Sequence, residues 1–147
     1  MEVYDSPSSV LAKYLIDTLG GFTDPLENGV WPLFTTVMPD APGVAFECAA
    51  LIDDQPRVDS KTMDGNYCKA NGLKIQVRSS SYETGYRKLA GVVPALALIH
   101  GVQVDIGGIY VYRIVNIHVV TDVKYIGVDE KQRHHFVSEL LVKLNIV

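Results

Sequence analysis

The stretch "LKIQVRSSSYETGY", residues 73–86, most constrains what this chain can fold into. Leu73, Ile75 and Val77 alternate with Lys74, Gln76 and Arg78, the period-two pattern of a strand with one covered face. Ser80 and Glu83 then form an S-x-x-E capping box, in which the hydroxyl and the carboxylate each satisfy a backbone donor at a helix start. Tyr82, Tyr86, Leu89, Val93, Leu96 and His100 follow in steps of three and four, which gives the helix a face that lies on the sheet. Pro94 removes an internal hydrogen bond, so a kink or break is expected near Ala90-Gly91. A strand running directly into an amphipathic helix requires helices layered on a sheet.

The same patterns recur along the chain. Ser6 before Pro7 is a helix-start signal; Val10, Leu11, Tyr14, Leu15, Thr18 and Leu19 recur at helical spacing until Gly20-Gly21. The segment "VWPLFTTVMPDAPG" is extended but punctuated by prolines, which belong at sheet edges or in loops. Val44, Phe46, Cys48, Ala50 and Ile52 alternate with Ala45, Glu47, Ala49 and Leu51 as a strand. A polar stretch from Asp53 to Gly72 reads as a long inter-strand loop, and loops of that length usually bind something or stay unordered. "VQVDI" and "IYVYRIVNIHVV" flank Gly107-Gly108 as a hairpin. In the last segment, Phe136, Leu140, Val142, Leu144 and Ile146 alternate as in a strand, although a helix also fits; the strand is preferred. The expected fold is α+β: a mostly antiparallel twisted sheet with two helices packed on it and a long inter-strand loop, in a single domain over residues 1–147. Residues 1–42 would hold the first helix and the proline-rich edge segment, and 43–147 the core sheet and second helix.

Composition narrows the function. At 147 residues, with 48% hydrophobic and 20% charged residues, the chain can bury one sizeable core. A formal net charge of −4 offers no basic stripe for a phosphate backbone, so direct nucleic-acid readout is not expected. The start "MEVYDSPSSV" lacks the basic and apolar run of an export signal, which points to a protein made in the cytoplasm. The apolar run Leu89 to Ile99 is too short for a membrane span and contains Pro94. Cys48 and Cys68 lack C-x-x-C spacing and are expected as reduced thiols.

No catalytic or ligand-binding constellation stands out, so no enzyme activity and no cofactor or metal are expected. His134 and His135 are adjacent, and neighbours on a strand point to opposite faces, which argues against a shared metal; His100 and His118 read as surface or edge residues. The serines of "RSSSYETG" lie in no G-x-S-x-G elbow, and neither "TLGGF" nor "DIGGIY" has phosphate-loop spacing. Asp129, Glu130 and Arg133 read as a charged turn with local ion pairing rather than an acid/base set.

Four motifs, in order, carry a family resemblance: "PGVAFECAALIDDQP", "LKIQVRSSSYETGY", "IGGIYVYRI" and "IGVDEKQRHHFVSELLVKL". Over roughly residues 43–147 the chain resembles the tail terminator (tail completion, minor capsid) proteins of long-tailed bacteriophages. In that family these motifs are a first long strand and its turn, a Q-x-x-V-R strand leading into a helix that opens with tyrosine, a glycine-turn hairpin, and a G-x-D-x-x-x-R turn before a closing strand. The resemblance implies a non-enzymatic structural virion protein of the tail and neck. It would form a homo-oligomer, a hexameric ring that caps the tail tube protein, ends its polymerisation and docks to the head-tail connector protein, with no membrane partner. The proline-rich "WPLFTTVMPDAPG" and the pair His134-His135 depart from the family pattern.

The resemblance carries roles to Arg78, Asp129 and Arg133, in fixing the strand, the turn and the protomer contact; the arm residues Arg57, Lys61 and Asp64, the outward Lys74, and Val137, Glu139 and Leu141 on the second face of the last strand are further expected subunit or tail-tube contacts. Arg78 is expected to point outward beside Lys74 and Gln76, so that Arg78→Glu would spare folding and weaken the ring; a solvated strand face is the alternative. His134 and His135 would add modest pH sensitivity to assembly. Two other readings stay open: a head completion or connector ring of the same neck, and a small-molecule-binding α+β domain, which would need a deep apolar pocket with convergent polar groups.

Overall fold

The computed structural model describes residues 5–27, 29–35, 38–40, 44, 46–54, 57–61 and 67–147, with the backbone alone at 57–61 and 67–69. Helix α1 (Pro7–Tyr14) starts as its sequence dictates: the Ser6 hydroxyl accepts from the Ser9 N–H, and Pro7 occupies the first helical position. A wider turn over Leu15–Leu19 follows, closed by Gly20 N–H to Leu15 O at 2.9 Å. This looser winding rotates the face: Val10, Leu11 and Leu15 are buried, whereas Thr18 and Leu19, expected on the same stripe, are exposed.

The strands are β1 (Leu33–Phe34), β2 (Cys48–Asp53), β3 (Arg57–Lys61), β4 (Tyr67–Ser79), β5 (His100–Asp105), β6 (Val111–Val128) and β7 (His134–Ile146), with helix α2 (Tyr82–Ala97) between β4 and β5. They form one sheet in the order β1-β2-β4-β7-β6-β5, with β3 on β4 beside β2. Every pairing is antiparallel except β1 with β2. Among the described residues the fold is therefore α+β, with two helices on a mostly antiparallel sheet. The last segment is a strand, and Gly107, with φ of 82°, sits in the turn of the β5–β6 hairpin.

The core lies between one face of the sheet and the helices. Leu73, Ile75 and Val77 of β4 meet Phe136 and Leu140 of β7, with Leu51 beside them and Leu11, Leu15, Leu89 and Leu96 above. Ser138 holds a core position in β7 because its hydroxyl donates to the Thr121 carbonyl at 2.6 Å.

Several boundaries differ from the sequence expectation for local physical reasons. Strand β2 begins at Cys48, not Val44, because the Phe46 carbonyl accepts from the Arg78 guanidinium and the Glu47 carboxylate from the N–H and hydroxyl of Ser80. The N-cap of α2 is Ser81, whose hydroxyl accepts from the Thr84 N–H; Ser80 instead donates to Glu47. Helix α2 runs unbroken past Ala90-Gly91 to Ala97, since only one turn follows Pro94 and the site of its lost hydrogen bond is partly open to water. Between Asp53 and Gly72, β3 pairs with the first part of β4, so strand fills much of the expected loop.

Strand β6 is the bent element. Its 18 residues run beside the 13 of β7, and the register shifts between Ile114 and Asn116, Val119 and Thr121, Thr121 and Lys124, and Tyr125 and Gly127. Each shift is a bulge that bends and twists the strand, so the sheet curls at this side.

Candidate interface surfaces

The five-residue turn joining β6 to β7 is built on Asp129. Its Oδ1 accepts the N–H groups of Lys131 (2.9 Å) and Arg133 (3.1 Å), and its Oδ2 accepts from Arg133 Nε (2.8 Å) and His135 Nε2 (2.9 Å). Because the carboxylate takes the Nε2 proton, Nδ1 of His135 is the acceptor for the Gln76 amide at 3.1 Å. Burial acts to raise the Asp129 carboxyl, but the hydrogen bonds from His135, the turn N–H groups and the Arg133 guanidinium outweigh it and hold the group well below the usual carboxylate range. Gln132 takes a positive φ of 61° to close the turn.

This turn is latched to the segment before β2. Arg133, 5% exposed, reaches Asp40 at 3.1 Å and packs over the Phe46 ring; Lys131 reaches the same carboxylate at 2.8 Å. Arg78, 2% exposed, donates from Nε to the Phe46 carbonyl (3.3 Å) and from Nη1 to the Pro39 carbonyl (3.1 Å). The expected outward position of Arg78 is therefore corrected: its guanidinium is buried against residues 38–40 and 46–47, and it serves the Pro39 and Phe46 backbone carbonyls. Arg78→Glu is accordingly a folding perturbation and not a clean probe of assembly. Arg133 is buried as well and is bound to Asp129 within the turn.

The remaining predicted contacts separate into two places. Lys74 lies opposite Glu139, Gln76 opposite Val137 and Gly72 opposite Leu141, so Lys74, Val137, Glu139 and Leu141 share the uncovered part of the second face. They are half-buried there, and Lys74 is 3.9 Å from Asp54. Arg57 and Lys61 bound β3, the outer strand of the arm, while Asp64 lies outside the described residues.

Sequence reasoning did not single out a third surface. Where the start of α2 crosses the end of the sheet, Tyr82 stacks edge-on against Tyr125 (5.0 Å between centroids) and Phe136 (5.1 Å), and Tyr86 also meets Phe136. His134 closes the cluster through a 2.9 Å hydrogen bond to the Tyr125 hydroxyl. Tyr82, Tyr86 and Tyr125 each remain about 42–45% exposed, with Ile126 and Val128 adjoining in the chain at 50% and 49%. Helical spacing picked out Tyr82 and Tyr86, but the bulge between Tyr125 and Gly127 hid the strand side of the cluster.

His134 thus sits among aromatic rings and His135 on the opposite face with Asp129 and Gln76, as strand geometry requires. Among the described residues no group of three or more His, Cys, Asp or Glu side chains is placed to hold a metal ion. A cleft of about 370 Å³ between α1 and β1 carries Lys13 and Asp24 at its wall, but Lys13 is bound to Asp17 at 2.7 Å. No helix among the described residues is long and apolar enough to cross a membrane. No protein-family model matches the chain, and no curated protein matches its sequence.

Proposed function

We propose that the protein is a structural ring subunit of a long-tailed phage neck: a tail terminator whose hexamer caps the tail tube, ends its growth and presents a surface to the head-tail connector. The observation that carries this reading is the arm. Strand β4 continues for four residues, Tyr67–Ala70, beyond the last residue that pairs with β7, and β3 pairs with that extension outside the body of the sheet. A two-stranded ribbon is marginal by itself in water and is stabilised by a further strand or packed surface, which a second chain can supply. The polar groups around Asp129, Arg133 and Arg78 are consumed in holding a turn and the residues latched to it, a use that suits a rigid assembly surface.

Light scattering over a concentration series, followed by negative-stain imaging, tests the proposal directly. A hexamer with a central hole that binds purified tail tubes supports it. Rings that bind a portal-side ring and ignore tail tubes would instead favour a head completion protein of the same neck. A strict monomer that binds neither would overturn both.

A further inference from the structure

The sheet has one long edge that nothing in the described chain covers. Strand β5 pairs with β6 only from Val111 to Asn116, whereas β6 continues to Val128 and is paired there on its β7 side alone. Twelve residues, 117–128, therefore present an edge without a strand partner, roughly 40 Å long at about 3.4 Å per residue, on which the Asp122 carboxylate holds the Val123 N–H at 2.7 Å.

Other edges of this sheet are guarded in familiar ways. Strand β1 has two residues and follows Pro32; β5 has six and is largely exposed and polar, with His100, Gln103 and Asp105 at the surface. The distal half of β6 has no proline and exposes Val120 (36%), Tyr125 (42%), Ile126 (50%) and Val128 (49%). Only Asp122, Lys124 and the bulges oppose indiscriminate pairing. The bulges also restrict which strand fits, because a partner must follow the bend they create.

The arm supplies a matching edge. Among the described residues strand β3 is paired on one side only, by β4, which leaves its other side for a further strand. This free edge and that of β6 lie on opposite flanks of the sheet, with β4 and β7 between them. Edges on opposite flanks cannot satisfy one another within a protomer, but they can between copies, in the heterologous head-to-tail contact that closes into a ring.

We infer that the distal half of β6, residues 117–128, receives β3 of the neighbouring copy, so that the sheet continues from protomer to protomer. The half-exposed Val120 and Ile126 then become interface residues. This inference rests on the ring reading above and specifies how the ring closes.

Two variants test it. In one, residues 56–69 are replaced by a short Asn-Gly turn, which removes the arm; Asp54 N–H and the Gly72 carbonyl already lie 2.8 Å apart and can close the hairpin. In the other, Val120→Lys and Ile126→Lys place charge on the β6 edge. Each variant alone should be monomeric at concentrations where the unmodified protein forms rings, with a far-UV circular dichroism spectrum unchanged for the lysine variant and changed only by the lost arm strands for the deletion. Because each keeps one good half of the contact, an equimolar mixture should form a 1:1 heterodimer and nothing larger. Rings formed by either variant alone, or a mixture that fails to pair, would overturn the proposed contact while leaving the ring intact. If a variant does not fold, amide exchange in the unmodified chain decides: the β6 amides facing away from β7 should slow at least tenfold on assembly, and unchanged exchange refutes the contact. A wild-type protein that remains monomeric both in solution and with tail tubes overturns the contact and the ring reading together.

Discussion

Replacing Arg78 with glutamate tests the latch over the second sheet face. The guanidinium is 2% exposed and donates to the Pro39 and Phe46 carbonyls at 3.1 and 3.3 Å. Hydrogen bonds from a charged donor contribute about 1.5–3 kcal/mol each, and both are lost. The new carboxylate would face the same two carbonyl oxygens, which it cannot accept from, in a buried site. Leaving an uncompensated buried charge typically costs about 3–5 kcal/mol, which sets the expected loss for Arg78→Glu. Arg78→Met also loses both donors but buries no unpaired charge and keeps an apolar stem, so it should lose less than the glutamate variant. With a urea dependence of about 2 kcal/mol per molar, the glutamate variant should unfold at a midpoint roughly 2 M below the parent, a large share of a typical 5–15 kcal/mol stability. Urea titration followed by circular dichroism measures this. A glutamate variant with the parental midpoint, or a methionine variant less stable than the glutamate one, would refute burial of this side chain.

The two glycines of α2 should respond in opposite directions to alanine. Gly91 has nothing within 4 Å of an added Cβ, so Gly91→Ala should stabilise by about 0.5–1 kcal/mol through helix propensity. At Gly85 that Cβ would meet the Phe136 ring at 2.9 Å and Ser79 Cβ at 3.0 Å, so Gly85→Ala should destabilise by about 1–3 kcal/mol; equal melting shifts would contradict the helix-to-sheet packing. Asp129 supplies a pH signature. Its folded pKa lies below the unfolded value of about 3.9, so its stabilisation is present above that pH and is lost as pH falls toward the folded value. Asp129→Asn should flatten the dependence of the urea midpoint between about pH 4 and pH 2.5, and an unchanged slope would remove the carboxylate from the account.

What the sequence made legible was the periodic part. Leu73, Ile75 and Val77 face the core as their alternation requires, Ser6-Pro7 starts a helix, and the closing segment is a strand. The site residues were harder because their environment comes from chain distant in sequence. Arg78 looks solvated on its strand until the carbonyls of Pro39 and Phe46, more than thirty residues away, are brought over it. The aromatic cluster was missed because bulges break the period-two pattern on which strand reading depends, so Tyr125 could not be assigned to the face of Phe136. The turn was the exception: Asp129 and Arg133 are four residues apart, and their ion pair is local enough to read directly.

The bulges of β6 also bear on how the chain tolerates change in length. Strand β7 pairs with β4 without interruption from His134 to Val142, so it has no spare residue there; removing one would turn every later side chain to the other face and expose half the core. Strand β6 has residues to spare. The loss of one can be absorbed by closing the bulge between Val119 and Thr121, after which His118 and Thr121 keep their faces. Single-residue deletions should therefore be ruinous in β7 and survivable in β6, where alignments of related chains would be expected to carry their gaps.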